Sequence, residues 1–282
     1  MIVDAHAHAS GKLLTCAGVE QYLEQGGIDR IILCGGEPGS RRNYPYPLLS
    51  DYMGEKRAVR LINGLIRRVI GASGYAERFD EENERVWEMA EQLKGKVYNA
   101  YWADPLEEGC LEKMMDFYRE KGFYILKLHQ CWTDFDIRCE VCGRLFGWAA
   151  KQKIPVLIHL GDKRQAIRFL DVANQNPGTT FIVAHLLWAG LMAGGLEYEN
   201  VCFDLSSPQL YSMAALRRAW DCYGERRLIV GSDMPYGLHN LSAVMKRLDG
   251  LGISGRQRRM LCGENILRLL AEGRKREGDS DG

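Results

Sequence analysis

Short apolar runs alternate with longer amphipathic segments along most of the chain. The apolar runs are rich in β-branched residues, which is typical of buried strands, and the amphipathic segments have the apolar spacing of helices. We predict strands at residues 2–8, 30–34, 96–103, 124–129, 156–159, 180–185, 201–204 and 228–232. We predict helices at residues 81–94, 111–121, 141–152, 163–176, 209–223, 241–251 and 256–271.

The order of these segments indicates the fold. From the third strand onward, strand starts lie roughly 20 to 30 residues apart, which is the length of one βα unit. Such alternation favours a parallel sheet with helices on both faces, and eight strands are the number that closes a barrel. A doubly wound open sheet is the alternative, but no glycine-rich phosphate turn follows the first strand. We therefore predict an α/β fold, a (β/α)8 TIM barrel with an insertion after strand 2.

The segment between Cys34 and Lys96 is about sixty residues long, twice the length of a normal βα segment. It contains the loop-like stretch GGEPGSRRNYPYPLLSDYMG and then KRAVRLINGLIRRVIG, which has helical spacing. An insertion at this point emerges at the carboxyl-terminal mouth of a barrel. We predict one domain over residues 1–272 with a lid-like insertion at about 36–80, the alternatives being a surface excursion or an oligomer contact. The polar, glycine-rich tail 273–282 is predicted to be disordered.

Composition is that of an ordinary soluble globular protein: 282 residues, 46% hydrophobic and 26% charged. Lys+Arg and Asp+Glu both total 37, so net charge favours neither a nucleic-acid partner nor an anionic membrane. Neither a signal peptide nor a membrane-spanning apolar run is evident, and we expect a cytoplasmic protein with a small-molecule substrate. The nine cysteines, including the Cys139–Cys142 pair, are interpreted as buried hydrophobic residues. Whether the chain forms a homodimer is left open.

The histidines are few, and most of them end a predicted strand. The chain has six: His6, His8, His129, His159, His185 and His239. All but the last lie at the carboxyl end of a strand, which is the functional face of a parallel barrel. This distribution predicts a site at the mouth of the barrel.

The first strand, VDAHAH, places three polar residues two positions apart. Because side chains alternate along a strand, we expect Asp4, His6 and His8 to point into the barrel together, with Asp4 deepest. Such a pair of histidines is by itself weak evidence for a metal site. The alternative is a pair of hydrogen-bonded core or surface histidines.

The far end of the chain supplies the missing ligands. Asp233 follows the last strand, which lies beside the first strand where a barrel closes. Together with His159 of the fifth strand, Asp233, His6 and His8 form a set of three nitrogens and one oxygen. Such a set suits zinc or a similar divalent ion.

Six motifs in this order resemble the amidohydrolase superfamily. They are DAHAH, KLHQ, VLIHLG, AHLLWAG, FDLSS and VGSDMPYG, on predicted strands one and four to eight. They look most like the amidohydrolase-related branch that includes aminocarboxymuconate-semialdehyde decarboxylase. The closing LCGENILRLL is similar to the terminal helix of that branch, and the resemblance covers the chain except for the insertion.

The resemblance implies roles for individual residues. His6, His8 and His159 would bind one divalent metal ion, zinc or another, and Asp233 would be a fourth ligand or the acid/base beside it. His185 would orient or deprotonate the water on the metal, whose pKa a divalent ion brings to roughly 7.

Residues around this set are candidates for supporting and substrate-contacting roles. Asp4 and Lys127 would support the ligands from behind, and a carboxylated Lys127 bridging two metals, as in binuclear superfamily members, is an alternative. A buried ion pair of Lys127 with Asp4 or Asp204 is another alternative. The candidates for contacting substrate are His129, Trp132, Arg41 and Arg42, the arginines because guanidinium groups bind carboxylates.

Three functions are compatible with these residues. The preferred one is a metal-dependent hydrolase that activates water to cleave an amide, lactone or ester bond in a small, carboxylated molecule. A metal-dependent non-oxidative decarboxylase of a small carboxylic acid would use the same ligands. A barrel that binds a metal or a partner without catalysis is the third hypothesis, although such a scaffold has no chemical need for the full His/Asp set.

Overall fold

Eight parallel strands form one sheet in which each strand pairs with the next along the chain. They are β1 (Val3–His8), β2 (Arg30–Cys34), β3 (Val97–Trp102), β4 (Ile125–His129), β5 (Val156–His159), β6 (Phe181–Val183), β7 (Val201–Asp204) and β8 (Leu228–Ile229). Backbone bonds close the sheet between its ends: Ala5 N–H donates to Val230 O at 3.1 Å, and Asp233 N–H to His6 O at 2.6 Å. The predicted (β/α)8 barrel is confirmed.

The computed structural model describes residues 1–274, and all of their side chains except those of residues 76, 77 and 272–274. From residue 275 onward, the tail predicted to be disordered lies outside this described part. The helices are α1 (Cys16–Gly26), α2 (Leu49–Met53), α3 (Glu55–Ser73), α4 (Phe79–Gln92), α5 (Cys110–Glu120), α6 (Glu140–Gln152), α7 (Lys163–Gln175), α8 (Ala189–Met192), α9 (Met213–Tyr223), α10 (Asn240–Asp249), α11 (Gly255–Arg259) and α12 (Asn265–Arg274). None of the described helices combines the length and apolar character needed to cross a membrane.

Shorter helical turns interrupt some of the predicted segments. Four 3₁₀ turns and one π-helical segment lie at Gly11–Leu13, Tyr75–Arg78, Ala184–Leu186, Pro208–Leu210 and Met260–Glu264. The predicted helix 209–223 is therefore a 3₁₀ turn followed by α9, and the predicted strand 180–185 ends early in a 3₁₀ turn. These turns lie after β6 and β7, where the chain bends to bring side chains to the barrel mouth.

Helix α1 is an element that the apolar pattern did not predict. It is held by its ends: Thr15 accepts a side-chain hydrogen bond from Gly18 N–H, and Gly27 ends the helix in the left-handed region at φ 57°. Its buried side chains are only Val19 and Leu23, too few for a clear amphipathic signal.

The lower half of the barrel interior is an apolar floor. Side chains from every strand meet there, and Ile266 and Leu269 of α12 close the bottom. The strand residues of this cluster are Val3, Ala5, Ile32, Cys34, Ala100, Ile125, Leu157, Ile182, Cys202 and Ile229. Above this floor the inward positions become polar, which places the chemistry at the mouth of the barrel.

A β-bulge in β1 changes which residues face inward. The pairing of β1 with β2 shifts between Asp4 and Ala7, so that Ala5 and His6 lie opposite the single residue Ile32. Ala5 therefore joins the interior floor, and Asp4 instead binds the hydroxyl of Tyr22 on α1 at 2.8 Å. The prediction that Asp4 shares the inner face with His6 and His8 is wrong for this reason.

The segment between β2 and β3 carries α2 and α3 before α4 packs beside β3. Helix α3 buries Ile62, Asn63 and Ile70. Its Asn63 side chain donates to Gly161 O, just after β5, at 3.0 Å. The insertion is thus tied directly to the carboxyl end of the barrel.

Candidate metal centre and active site

His6 lies at the centre of the polar layer with both ring nitrogens engaged. Its Nδ1–H donates to Asp204 Oδ2 at 2.8 Å, which leaves the lone pair on Nε2. Lys127 donates to that lone pair from Nζ at 2.9 Å. Burial and the Lys127 charge hold the pKa of His6 well below its ordinary value, so the ring is neutral and suited to metal binding.

His8 presents its Nε2 to the same point. Its Nδ1–H donates to the backbone oxygen of Gly35 at 2.6 Å, so Nε2 carries the lone pair and lies 3.3 Å from Asp233 Oδ1. One donor atom each of His6, His8 and Asp233 lies within 4.8 Å of the others, and all three residues are buried. Partners on the far side of each ring are what metal-binding histidines usually have.

Asp233 is held in a strained backbone position beside these histidines. Its φ is 61°, in the left-handed region that non-glycine residues adopt infrequently. Burial alone would raise the pKa of Asp233, but the surrounding imidazoles of His185, His8 and His6 hold the pKa below its ordinary value. Ser207 donates its hydroxyl to Oδ2, leaving Oδ1 toward His8. The carboxylate is therefore ionised and oriented.

His159 lies outside this compact group, but its tautomer suits a ligand. The amide of Asn63 donates to Gly161 O, so its oxygen faces His159 and accepts from Nε2–H at 3.1 Å. The lone pair of His159 is then on Nδ1, which is buried and has no hydrogen-bond partner. A buried acceptor without a partner is costly, and a bound cation would satisfy it.

The donor set thus fits a divalent ion. Two Nε2 lone pairs, one carboxylate oxygen and the unpaired Nδ1 of His159 are ligand types that zinc takes. Binding through His6 would require Lys127 to give up its hydrogen bond to Nε2. The structure brings His6, His8 and Asp233 together, while the participation of His159 stays a prediction.

His185 stands beside the carboxylate with its lone pair toward it. Ser206 uses its hydroxyl proton on Asp204 Oδ2, so its oxygen accepts from His185 Nδ1–H at 2.8 Å. Nε2 of His185 is then an acceptor, 3.9 Å from Asp233 Oδ2. Burial lowers the pKa of His185, and its φ of 60° is again positive. A neutral imidazole in this position can take up a proton.

The two inward residues of β4 lie at different depths. Lys127 is fully buried and bonded to His6, and burial lowers the pKa of its ammonium group. His129 stacks on His159 with ring centres 4.0 Å apart, and its Nδ1 accepts from Cys131 N–H. Of the two, only His129 reaches the cavity described next.

A cavity opens from this centre to solvent, with about 690 Å³ of space between its lining atoms, part of which is open solvent. The insertion, the strand ends and the loop after β8 line it together. Its lining residues are His8, Glu37, Tyr44, Tyr46, Ile62, Leu65, Ile66, Val69, Ile70, His129, Trp132, His159, His185, Gln209, Leu210, Asp233 and Tyr236. The lining includes the predicted contacts His129 and Trp132. Arg41 and Arg42 are exposed and do not line it, so their contact with substrate stays a prediction.

The sequence prediction missed what several residues of the site do. Asp204 and Ser206 hold His6 and His185, and their motif FDLSS at the end of β7 was a usable signal. No sequence signal pointed to Asn63, because its role depends on a contact between the insertion and β5. Asp4 accepts from Ser232 N–H at 2.8 Å, next to Asp233, and its support of the site remains a prediction.

The fold and the site define a (β/α)8-barrel protein with a cluster of buried histidines and carboxylates at its mouth. The chain matches the model of the amidohydrolase family described as Amidohydrolase over residues 3–271. It therefore belongs to that family, as the order of its motifs predicted. Among curated proteins no sequence matches the chain.

Solved structures with the same fold are similar over nearly the whole chain. A 2,6-dihydroxybenzoate decarboxylase from Rhizobium has a TM-score of 0.65 at 13% identity, covering 96% of this chain and 98% of its own. An amidohydrolase from Burkholderia multivorans with bound zinc has a TM-score of 0.64 at 13% sequence identity, and the match covers 96% of this chain and 99% of that one. A third structure is a probable 2-pyrone-4,6-dicarboxylic acid hydrolase from Acinetobacter baumannii with citric acid bound. Its TM-score is 0.63 at 10% sequence identity, and the match covers 96% of this chain and 99% of that one. At these identities the likeness shows the fold.

Proposed function

We propose that the protein is a metal-dependent hydrolase that cleaves an amide, lactone or ester bond in a small molecule. One observation carries this proposal: one ligand atom each of His6, His8 and Asp233 lies within 4.8 Å of the others, and His8 and Asp233 line the cavity. Each of these groups is fixed by a separate partner, namely Asp204, the Gly35 backbone and Ser207. Such preorganisation is what a catalytic metal centre requires.

The proposed cofactor is one zinc ion per chain. Its ligands would be His6, His8, Asp233 and His159, and the mix of imidazole and carboxylate donors suits zinc. The zinc bound by the Burkholderia multivorans amidohydrolase supports this choice. A divalent ion supplies a Lewis acid that polarises a carbonyl group and acidifies water.

The residues around the ligands would move the protons. His185 is neutral with a free lone pair on Nε2, so it can take a proton from water at the cavity base and return it to the leaving group. Ser206 holds that ring through Nδ1 and prevents it from turning away. Asp233 stays ionised in this environment and would exchange the proton with His185 through one water, because the 3.9 Å between its Oδ2 and His185 Nε2 is too long for a direct hydrogen bond.

Decarboxylation of a small carboxylic acid is the second candidate. The likeness to the Rhizobium 2,6-dihydroxybenzoate decarboxylase, over 96% of this chain, favours keeping it. The same His185 would then deliver a proton to carbon after carbon dioxide leaves. A screen of lactones, esters, amides and aromatic acids, followed by product analysis, separates the two reactions.

The metal proposal is tested on protein purified without chelators. We expect about one zinc per chain, and loss of that zinc in the double variant His6→Ala/His8→Ala, because two of the proposed ligands are then missing. His239→Ala is the matched control, since this histidine is exposed and lies outside the site. Unchanged zinc in the double variant would refute the role of the two histidines.

The proton-transfer proposal is tested by Asp233→Asn. We expect turnover to fall by about a hundredfold or more, because the amide cannot accept the proton, while the thermal unfolding curve stays cooperative. Asp171→Asn is the control, a carboxylate-to-amide change at an exposed position of α7. Retained turnover in Asp233→Asn would exclude the residue as an acid/base.

A further inference from the structure

One wall of the cavity is an aliphatic face of the insertion helix α3. Its five lining residues follow helical spacing and carry neither charge nor hydrogen-bonding side-chain groups: Ile62, Leu65, Ile66, Val69 and Ile70. Leu65 and Val69 are also 40% and 46% exposed, so this wall continues to the cavity opening. Exposed aliphatic side chains that line a cavity indicate a site for an apolar group.

Other residues of the cavity lining are aromatic. Tyr44 stacks on Tyr46 with ring centres 5.7 Å apart, and on Tyr236 at 5.4 Å. Trp132 lines the same cavity and lies 4.6 Å, centre to centre, from Trp102. The cavity lining therefore combines aromatic rings with the aliphatic side chains of α3.

The charges that line the cavity are negative. Among the described lining residues, the carboxylates are Glu37 and Asp233, and none is a lysine or an arginine. Glu37 is 5% exposed, and both of its oxygens lie 2.8 Å from the Tyr44 hydroxyl. A substrate carboxylate placed away from the metal centre would lose its hydration here and meet no cation, which is unfavourable.

We propose that the substrate carries an uncharged, apolar body that lies between α3 and the tyrosine stack. This inference rests on the proposed function and narrows it to lactones, esters or amides of aliphatic or aryl acids, with no carboxylate remote from the reacting bond. It replaces the expectation of a carboxylated substrate, which depended on Arg41 and Arg42 reaching the cavity. Ile66, at the middle of the aliphatic wall, is a specificity-determining residue.

The test measures binding of zinc-chelating hydroxamates to the zinc-loaded protein by calorimetric titration. The series runs from acetohydroxamate through butyrohydroxamate to hexanohydroxamate, with succinic monohydroxamate as the member that carries a carboxylate at the end remote from the hydroxamate. We expect affinity to rise by about fourfold for each added methylene, as burial of apolar surface predicts. Succinic monohydroxamate is expected to bind at least about tenfold more weakly than butyrohydroxamate because its carboxylate has no cationic partner.

Substitutions on α3 test whether the dependence of affinity on chain length arises from the aliphatic wall. Ile66→Ala should reduce the gain from acetohydroxamate to hexanohydroxamate, and Ile66→Arg should reverse the preference toward succinic monohydroxamate. Leu61→Ala and Leu61→Arg are the matched controls, because Leu61 lies on the same helix, is 44% exposed and does not line the cavity. The controls should leave the whole series unchanged.

The outcomes separate this inference from the function on which it rests. Affinities that do not depend on chain length, or a tighter succinic member in the unaltered protein, overturn the apolar-body inference. Equal effects of the Ile66 and Leu61 substitutions overturn the placement on α3. If no member binds the zinc-loaded protein, acetohydroxamate included, the zinc has no open coordination position and the proposed catalytic function itself is refuted.

Discussion

At the scale of single residues, Asn63 has an effect out of proportion to its size. Its amide connects the insertion to Gly161 and at the same time fixes the tautomer of His159. Removing it would let the proton of His159 move to Nδ1, the nitrogen proposed to face the metal. Outer partners of this kind typically change metal affinity by about ten- to a hundredfold.

We therefore expect Asn63→Leu to weaken zinc binding by about ten- to a hundredfold, measured by competition with a chelating dye. Asn83→Leu is the control, since Asn83 is also buried and makes two hydrogen bonds, both to the Trp102 backbone. That control should lower stability without changing zinc affinity. Equal zinc affinity in both variants would mean that Asn63 has only a structural role.

Cys139 shows a second residue-scale effect, at the start of α6. A hydrogen bond from Cys142 lowers the pKa of the Cys139 thiol to about 6. We expect its alkylation by iodoacetamide, followed by mass spectrometry, to reach half its maximal rate near pH 6. In Cys142→Ala the midpoint should rise toward about 8.5, the ordinary value for a thiol. A midpoint that is unchanged by this substitution would contradict the assignment.

The sequence patterns predicted some of these site residues but not others. The histidines were predictable because their position at strand ends follows from the topology alone. Asn63 and the direction of Asp4 were not, because the first depends on a contact between distant segments and the second on a bulge. Which nitrogen of each imidazole is free depends on neighbours such as Ser206, and no spacing reveals that.

At the scale of elements, the bulge in β1 is the reason that the side-chain directions along this strand differ from those predicted by strict alternation. Strict alternation would place Asp4, His6 and His8 on one face. The carbonyl of His6 instead accepts from the backbone N–H groups of Ser232 and Asp233, and the strand bends to meet them. The bulge therefore aligns β1 with the segment that carries the carboxylate, and it needs both strands to form.

Helix ends offer an element-scale prediction away from the site. Ser254 and Gln257 form a reciprocal capping box at the start of α11. We expect Ser254→Ala to lower the free energy of unfolding by about 1 kcal/mol, measured by urea denaturation. Ser242→Ala is the control, because this exposed serine within α10 donates only to the backbone of His239. An equal loss in the two variants would contradict the capping role.

At the scale of the whole molecule, the barrel depends on the seam between its last and first strands. A side chain at Gly231 would place its Cβ 2.8 Å from Asp204 Oδ1 and 3.1 Å from the His6 backbone nitrogen. The seam thus leaves no room for a side chain beside the proposed ligands. Overpacking of this kind typically costs about 1–3 kcal/mol.

We expect Gly231→Ala to lower the unfolding free energy by about that amount and to weaken zinc binding, because Asp204 and His6 must shift. Denaturation curves and zinc titrations measure the two effects. Gly147→Ala in α6 is the control, since a Cβ there meets nothing within 4 Å and alanine favours a helix. A stable Gly231→Ala protein with normal zinc affinity would show that the seam can relax.

The barrel itself was predictable because its signal is distributed over the chain. Each strand is buried on both faces and forms a short apolar run, so the eight runs give both the strand count and the order. Helix α1, whose apolar pattern is weak, and the contacts of the insertion with β5 were not predictable from the sequence, since they arise only when the closed barrel is present.

The hydrogen bonds of His6 also determine an electrostatic balance. Lys127 and Asp204 bind its two nitrogens, and Asp233 lies 3.8 Å from Nε2, so these three groups carry a formal charge of −1. A divalent ion would change that charge to +1. The loaded centre would then attract one negative charge, on a substrate carboxylate or on a carbonyl oxygen under attack. Decarboxylation and hydrolysis share this demand, so one barrel interior can serve either reaction.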